Sequence, residues 1–268
     1  MEIFQFLNYE FIQRAYLAGV FVAALCAMLG LLLVLRKLSL IGDGLSHVSF
    51  GAIALGLFFG IYPFYVAIPI VIIASYLILK LTEKAKIYGD AAIGIVSSIG
   101  IAGGVILASL SHGFNVDLFS YLFGNILAIS NQEVRLSVGL SILVLLVIIF
   151  LYHDLFSTTF DEAYAKVSGI KTKQINLILT FLTAITVVLA IKVVGVMLVS
   201  ALLILPAVTS LQIVKGFKWA MIVSVLLAVL SVLIGVTISY FADLPAGASI
   251  VMINFFFFIF FFWLKKVK

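Results

Sequence analysis

The sequence predicts an all-α fold: a polytopic transmembrane helical bundle of about nine spans, or eight if the weak second one is discounted. Three observations predict it. The 268 residues are 65% apolar and only 10% charged, against roughly 45–50% and about 25% in an ordinary soluble domain. The apolar residues fall in runs near the ~20 needed to cross about 30 Å of hydrocarbon. The 24 Phe and 20 Gly suit lipid-facing surfaces and close helix packing respectively. This balance excludes a soluble globular enzyme and a disordered chain. The net charge is +5, but Lys and Arg are scattered singly or in twos and threes, so no basic stripe exists to track a nucleic acid. One cysteine, Cys26, cannot form an internal disulfide.

The spans are expected at about 15–35, 45–61, 63–82, 91–110, 134–152, 175–191, 194–213, 219–240 and 246–264. The second is short and Gly-rich, and starts beside Asp43 and His47; a broken or tilted helix is the alternative. No connection is long enough for a separate soluble domain, so 1–268 reads as one transmembrane domain. Residues 2–14 mix polar and apolar groups and are expected on the membrane surface. Glu2 and Glu10 stand where a secretory leader would be basic.

Lys and Arg in the connections set the orientation. With the N-terminus outside and nine spans, thirteen of the sixteen basic residues fall inside; Arg14, Arg135 and Lys192 stay outside. The C-terminus is then cytoplasmic. Two connections are longer than packing requires. The outer one, 111–133, is amphipathic, with aromatic residues fit for the interface. The inner one, 153–174, has Asp161 and Glu162 at a helix start and Gly169 as a stop. A helix there would present one face to the cytoplasm.

Ionisable groups near hydrocarbon are rare and tend to mark a pathway. Asp43 and His47, in RKLSLIGDGLSHVSFG, fall on one face if the stretch is helical. A carboxylate and an imidazole suit a borderline divalent metal such as zinc or manganese. Two donors per chain make a weak site, which a conduit needs. Two chains face to face would set two such pairs around one route. Ser46 adds a hydroxyl beside them. The competing reading makes Asp43 a helix cap and His47 an ordinary bundle hydrogen-bonder.

Other polar residues have simpler explanations. His112 and Asp117 fall in the outer connection, and His153 and Asp154 at a span boundary. Asp243 sits in a turn with Pro245 and Gly247. Asp90 reads as an N-cap. Lys192 has nothing acidic nearby in sequence and is expected to snorkel to the outer interface. Pro206 lies inside a span and is expected to kink or break it, with Gly195, Ser200, Ala201 and Ala207 allowing close contact. There is no HExxH, GxSxG or GxxxxGK[ST], so the chain is not expected to be an enzyme, and any ATP must be hydrolysed elsewhere.

Several stretches resemble a known family. RKLSLIGDGLSHVSFGAIALG, DLFSYLFGNILAIS, FDEAYAKVSGI, VVGVMLVSALLILPAVTSL and DLPAGASIVM are similar, in order and across nearly the whole chain, to landmarks of the ABC-3 permeases of zinc- and manganese-type ABC importers. The resemblance implies a fold like that of the vitamin B12 and siderophore importers. It implies a homodimer, a separate cytoplasmic ATP-binding subunit and an extracellular metal-binding protein. It puts Asp43 and His47 at the gate and transient metal site. It puts Phe160, Asp161, Glu162, Ala163 and Gly169 in the helix that couples to the ATPase. The implied cargo is Zn2+ or Mn2+, with zinc favoured and no tightly bound cofactor. The alternative is a stand-alone, proton-coupled secondary metal transporter.

Overall fold

In hydrocarbon a backbone must satisfy its own hydrogen bonds, so long apolar segments fold as helices. The computed structural model describes residues 6–84, 88–111 and 121–267. Nine of its helices are long and apolar enough to cross a membrane. They are α1 (Glu10–Leu35), α2 (Ile41–Phe58), α3 (Pro63–Lys84), α4 (Gly89–Leu110), α5 (Asn131–Phe150), α8 (Thr172–Val194), α9 (Val199–Ile213, led in by a 3-10 turn at Val196–Leu198), α10 (Phe217–Ala242) and α11 (Ala246–Val267). Two short helices, α6 (Tyr152–Phe160) and α7 (Glu162–Val167), lie between α5 and α8.

Burial identifies the centre of the bundle. Within their most apolar stretches α1, α2 and α8 are 67%, 72% and 67% buried, whereas α4 and α11 are 22% buried. α1 packs on α10, α9, α5 and α8, and α2 lies between α4 and α3. The second span is the least apolar of the nine, with a mean hydropathy of 1.3, but it is not broken. It is an unbroken helix that starts four residues before the expected 45. Its glycines explain its position. A Cβ at Gly44 would collide with the Ile93 side chain, and one at Gly51 with the Gly100 carbonyl. A Cβ on Gly100 would fall 2.6 Å from the Val48 Cα. Small residues let the two backbones touch, which is how helices associate without a hydrophobic drive between them.

Two other expectations change. Residues 10–14 belong to α1 rather than to a surface segment, and Phe6 stacks on Tyr240 at 5.7 Å. Asp90 is not a cap: Tyr88 holds that position, with no side-chain bond, and Asp90 lies in the first turn of α4. Where it is described, the outer connection is two-faced: Tyr121 and Ile126 are buried and Phe123 is exposed. Its 112–120 stretch, with His112 and Asp117, lies outside the described residues. Of the kink or break expected at Pro206, no break occurs: α9 continues as a helix through this buried proline, and the non-helical junction of that span falls at Gly195 (φ 86°, ψ 160°).

Gly195 is needed for space as well as for its positive φ. A Cβ there would run into the backbone of Phe123 and Gly124, and would sit 2.5 Å from the Leu122 carbonyl oxygen. The 121–130 stretch is thereby pinned to the α8–α9 junction. Ser130 and Glu133 then start α5 with a full capping box. Asp243 adopts the left-handed conformation that closes α10 (φ 50°), as a turn residue should.

Candidate functional site

Asp43 and His47 both lie on α2, one turn apart, with Asp43 Oδ2 3.5 Å from His47 Nε2. The residues between and around them (Gly42, Gly44, Leu45, Ser46, Val48, Ser49 and Phe50) are buried. Only Asp43, His47, Gly51 and Leu55 form an open strip along this stretch of the helix. The Asp43 side chain is 48% exposed and that of His47 28%. Asp43 is not the helix cap: Leu40 occupies that position, and no side-chain capping bond forms. Ser46 is turned away from the pair. It is fully buried and donates to the Asp43 carbonyl at 2.8 Å.

The depth of the pair follows from its neighbours. Gly100, halfway along α4, packs against the backbone of His47 and Val48. Gly42 packs against Leu203, inside α9. His47 therefore lies level with the middle of α4, and the start of α2 level with the interior of α9. Among the described residues no cluster of three His, Cys, Asp or Glu forms, so each chain offers two donors here, one oxygen and one nitrogen.

The residues expected to couple to an ATPase lie together at the end of the bundle where α5 finishes and α8 begins. Asp161 caps α7, its carboxylate accepting from the Tyr164 amide at 2.8 Å. Gly169 (φ 88°) ends it. The Ile170 amide donates to the Ala165 carbonyl and the Gly169 amide to that of Lys166, the paired bonds of a Schellman stop. Ala165 alone in α7 is buried, and Ala163 and Glu162 are exposed. Phe160, Tyr164 and Val167 are 58%, 68% and 88% exposed, an apolar rim on the α6–α7 knuckle. Phe160 packs edge-on against Phe217 at 5.9 Å, which anchors the knuckle to α10.

Two polar networks escaped sequence reading. Arg36, just past α1, donates from Nε to Thr159 Oγ1 (2.9 Å) and from Nη1 to Asn176 Oδ1 (2.7 Å). Burial lowers its pKa, and the nearby Glu162 carboxylate opposes the shift. At the other end of the bundle, Lys192 does not snorkel. Its ammonium lies 2.9 Å from Glu133 Oε1 and over the Tyr121 ring, 4.9 Å from its centre. Both pairings join residues far apart in sequence, so no local spacing announces them.

Comparison with known proteins agrees with this architecture. Residues 8–265 match the model of the ABC 3 transport family. The chain is 32% identical over 93% of its length to the manganese transport system membrane protein MntC of Halalkalibacterium halodurans, covering 85% of that protein. It is 32% identical over 94% of its length to the high-affinity zinc uptake system membrane protein ZnuB of Haemophilus influenzae, covering 96% of it. Among solved structures it is similar to PsaBC from Streptococcus pneumoniae in complex with Fab, with a TM-score of 0.88 and 32% identity, over 97% of this chain and 94% of that one. The chain belongs to the ABC 3 transport family, as a multi-pass membrane permease subunit and not an enzyme.

Proposed function

We propose that the chain is the permease of an ATP-driven importer that carries a divalent transition metal across the plasma membrane, and that two copies enclose the route. The observation that carries this is the Asp43–His47 pair, 3.5 Å apart on the one open strip of an otherwise buried helix. A carboxylate and an imidazole facing acyl chains at mid-span would cost several kcal/mol. A second copy that covers the strip removes that cost and supplies a matching pair. The four donors, two oxygens and two nitrogens, fit tetrahedral zinc and hold manganese less tightly. Relatives named for manganese and for zinc both fall near 32% identity, in keeping with a donor set that admits either ion. Zinc is the favoured cargo.

The basic residues gathered at the end that bears α6 and α7 favour placing that end in the cytoplasm. There the apolar rim of Phe160, Tyr164 and Val167 suits docking of an ATP-binding subunit, which a stand-alone secondary transporter has no use for. A metal-binding protein outside would deliver the ion to the opposite end. ATP-driven closure would move α7, and the two copies would rock between states that differ in their contacts.

The test is uptake by vesicles holding the permease with its cognate ATP-binding subunit and external binding protein. Zinc and manganese are presented separately, with and without ATP. ATP-dependent entry is expected for both, with zinc displacing manganese. Uptake that needs no ATP and follows a proton gradient would sink the proposal.

A further inference from the structure

We propose that Arg36, Asn176 and Glu162 form a polar relay that carries the motion of α7 to the turn from which α2 starts, with Arg36 and Asn176 as positioning residues for transport. It rests on the reading above that an ATP-binding subunit docks on α7.

The relay is continuous. The Glu162 carboxylate, on α7, accepts from Asn176 Nδ2 at 3.0 Å. Asn176, on α8, accepts from Arg36 Nη1 at 2.7 Å through its own Oδ1. Arg36 also donates to Thr159 on α6 at 2.9 Å, and the Thr159 hydroxyl donates in turn to the Leu155 carbonyl at 2.6 Å. One guanidinium therefore ties the α1–α2 turn to α6 and α8, and through Asn176 to α7. α2 begins at Ile41, and its first turn carries Asp43. Displacement of α7 reaches the Asp43–His47 strip through two hydrogen bonds and one short turn.

Two features mark this as a movable joint and not a fixed strut. First, it borders a cavity of about 590 Å3 lined by Arg36, Glu162 and Asn176 together with Thr158, Thr180 and Thr183. Side chains beside open volume can change partners without repacking a dense interior. Secondly, the third guanidinium nitrogen, Nη2, is buried without an acceptor among the described residues. The fork thus retains a donor that a shifted Glu162 could meet, and two alternative hydrogen-bond arrangements are what a switching element needs. A turn that merely had to be held would be served as well by apolar packing.

Asn176→Asp separates the relay from anchoring. The introduced carboxylate still accepts from Arg36 but repels Glu162, so the link to α7 is cut while the link to α1 is kept. Adding Glu162→Gln rebuilds the relay with reversed polarity, because the glutamine amide can donate to the new carboxylate. The permease is studied in vesicles with its ATP-binding subunit and external binding protein, with zinc and manganese as probes. For N176D, metal taken up per ATP hydrolysed is expected to fall about tenfold while the complex still assembles and hydrolyses ATP. The N176D/E162Q pair is expected to recover most of that loss. Unchanged uptake in N176D, or a double variant no better than N176D, would overturn the relay. If N176D fails to assemble, Arg36→Lys decides: it keeps the charge but loses the fork, and undiminished coupling in R36K overturns the proposal. Failure of the unmodified complex to take up either metal would instead refute the transport reading itself.

Discussion

Lys192 Nζ lies 2.9 Å from Glu133 Oε1, with the two side chains only 13% and 7% exposed. The Glu133 carboxylate also accepts from the Ser130 amide at 2.7 Å through Oε2. One acidic group thus starts α5 and fixes the end of α8. Removing one partner of such a pair leaves a buried charge uncompensated, at a cost of about 3–5 kcal/mol. Lys192→Met is expected to lower the midpoint of thermal unfolding in detergent, and K192M/E133L to regain most of the loss. A K192M protein as stable as its parent would mean the pair is not buried in the membrane-embedded state.

Asp43 and His47 are expected to be needed for transport and not for folding, because their side chains point out of the chain while their neighbours hold α2 in place. Asp43→Ala and His47→Ala should each abolish zinc uptake, a loss greater than the roughly 10–100-fold typical of removing an outer-shell partner of a metal. Membrane insertion and binding of the ATP-binding subunit should persist. Normal uptake rates in both variants would remove the two residues from the route.

α7 is only six residues long, so its cap matters more than it would in a longer helix. Asp161→Ala removes the bond to the Tyr164 amide and is expected to cost about 1 kcal/mol. Hydrogen exchange at 162–168 should accelerate, and less ATP-binding subunit should co-purify. Reversing both acidic residues, D161K/E162K, should detach or uncouple that subunit. A fully stimulated, intact complex with the double reversal would exclude this face as the docking site.

Gly169 and Gly195 share a positive φ, 88° and 86°, but not their surroundings. Nothing lies within 4 Å of a Cβ built on Gly169, while one on Gly195 meets the backbone of Phe123 and Gly124. Gly169→Ala is expected to cost about 1 kcal/mol from conformation alone. Gly195→Ala must also push two chain segments apart, and is expected to reduce the yield of folded protein severely. Comparable expression and melting of the two variants would contradict the packing at the α8–α9 junction.

Much of the architecture was legible because it depends on local composition. A run of apolar residues in hydrocarbon has one way to satisfy its backbone, so the spans emerged from hydropathy with errors only at their ends. α2 was the exception. Its glycines and its Asp43 lowered the local signal, yet those glycines are what allow it to lie against α4. The Asp161 start and the Gly169 stop of α7 were legible for a related reason, since caps depend on a few adjacent residues.

What escaped was set by partners distant in the chain. Lys192 had no acidic neighbour in sequence, and Glu133 reaches it only when the 121–130 stretch folds against α8. Ser46 stood beside Asp43 in sequence but turned inward to a backbone carbonyl. Arg36 looked like one more basic residue in a connection until α6 and α8 closed around it.

The sequence alone determined that this chain crosses the membrane as helices, and that Asp43 and His47 share one face of one of them, because helical periodicity and the absence of water in hydrocarbon leave little choice. Only the tertiary structure decided that this face is the open strip of a central helix, that His47 lies level with the middle of α4, and that Arg36 and Lys192 are each held by partners from other helices. Those facts depend on which helices touch. Close contacts at a few glycines select that arrangement, and no local pattern encodes it.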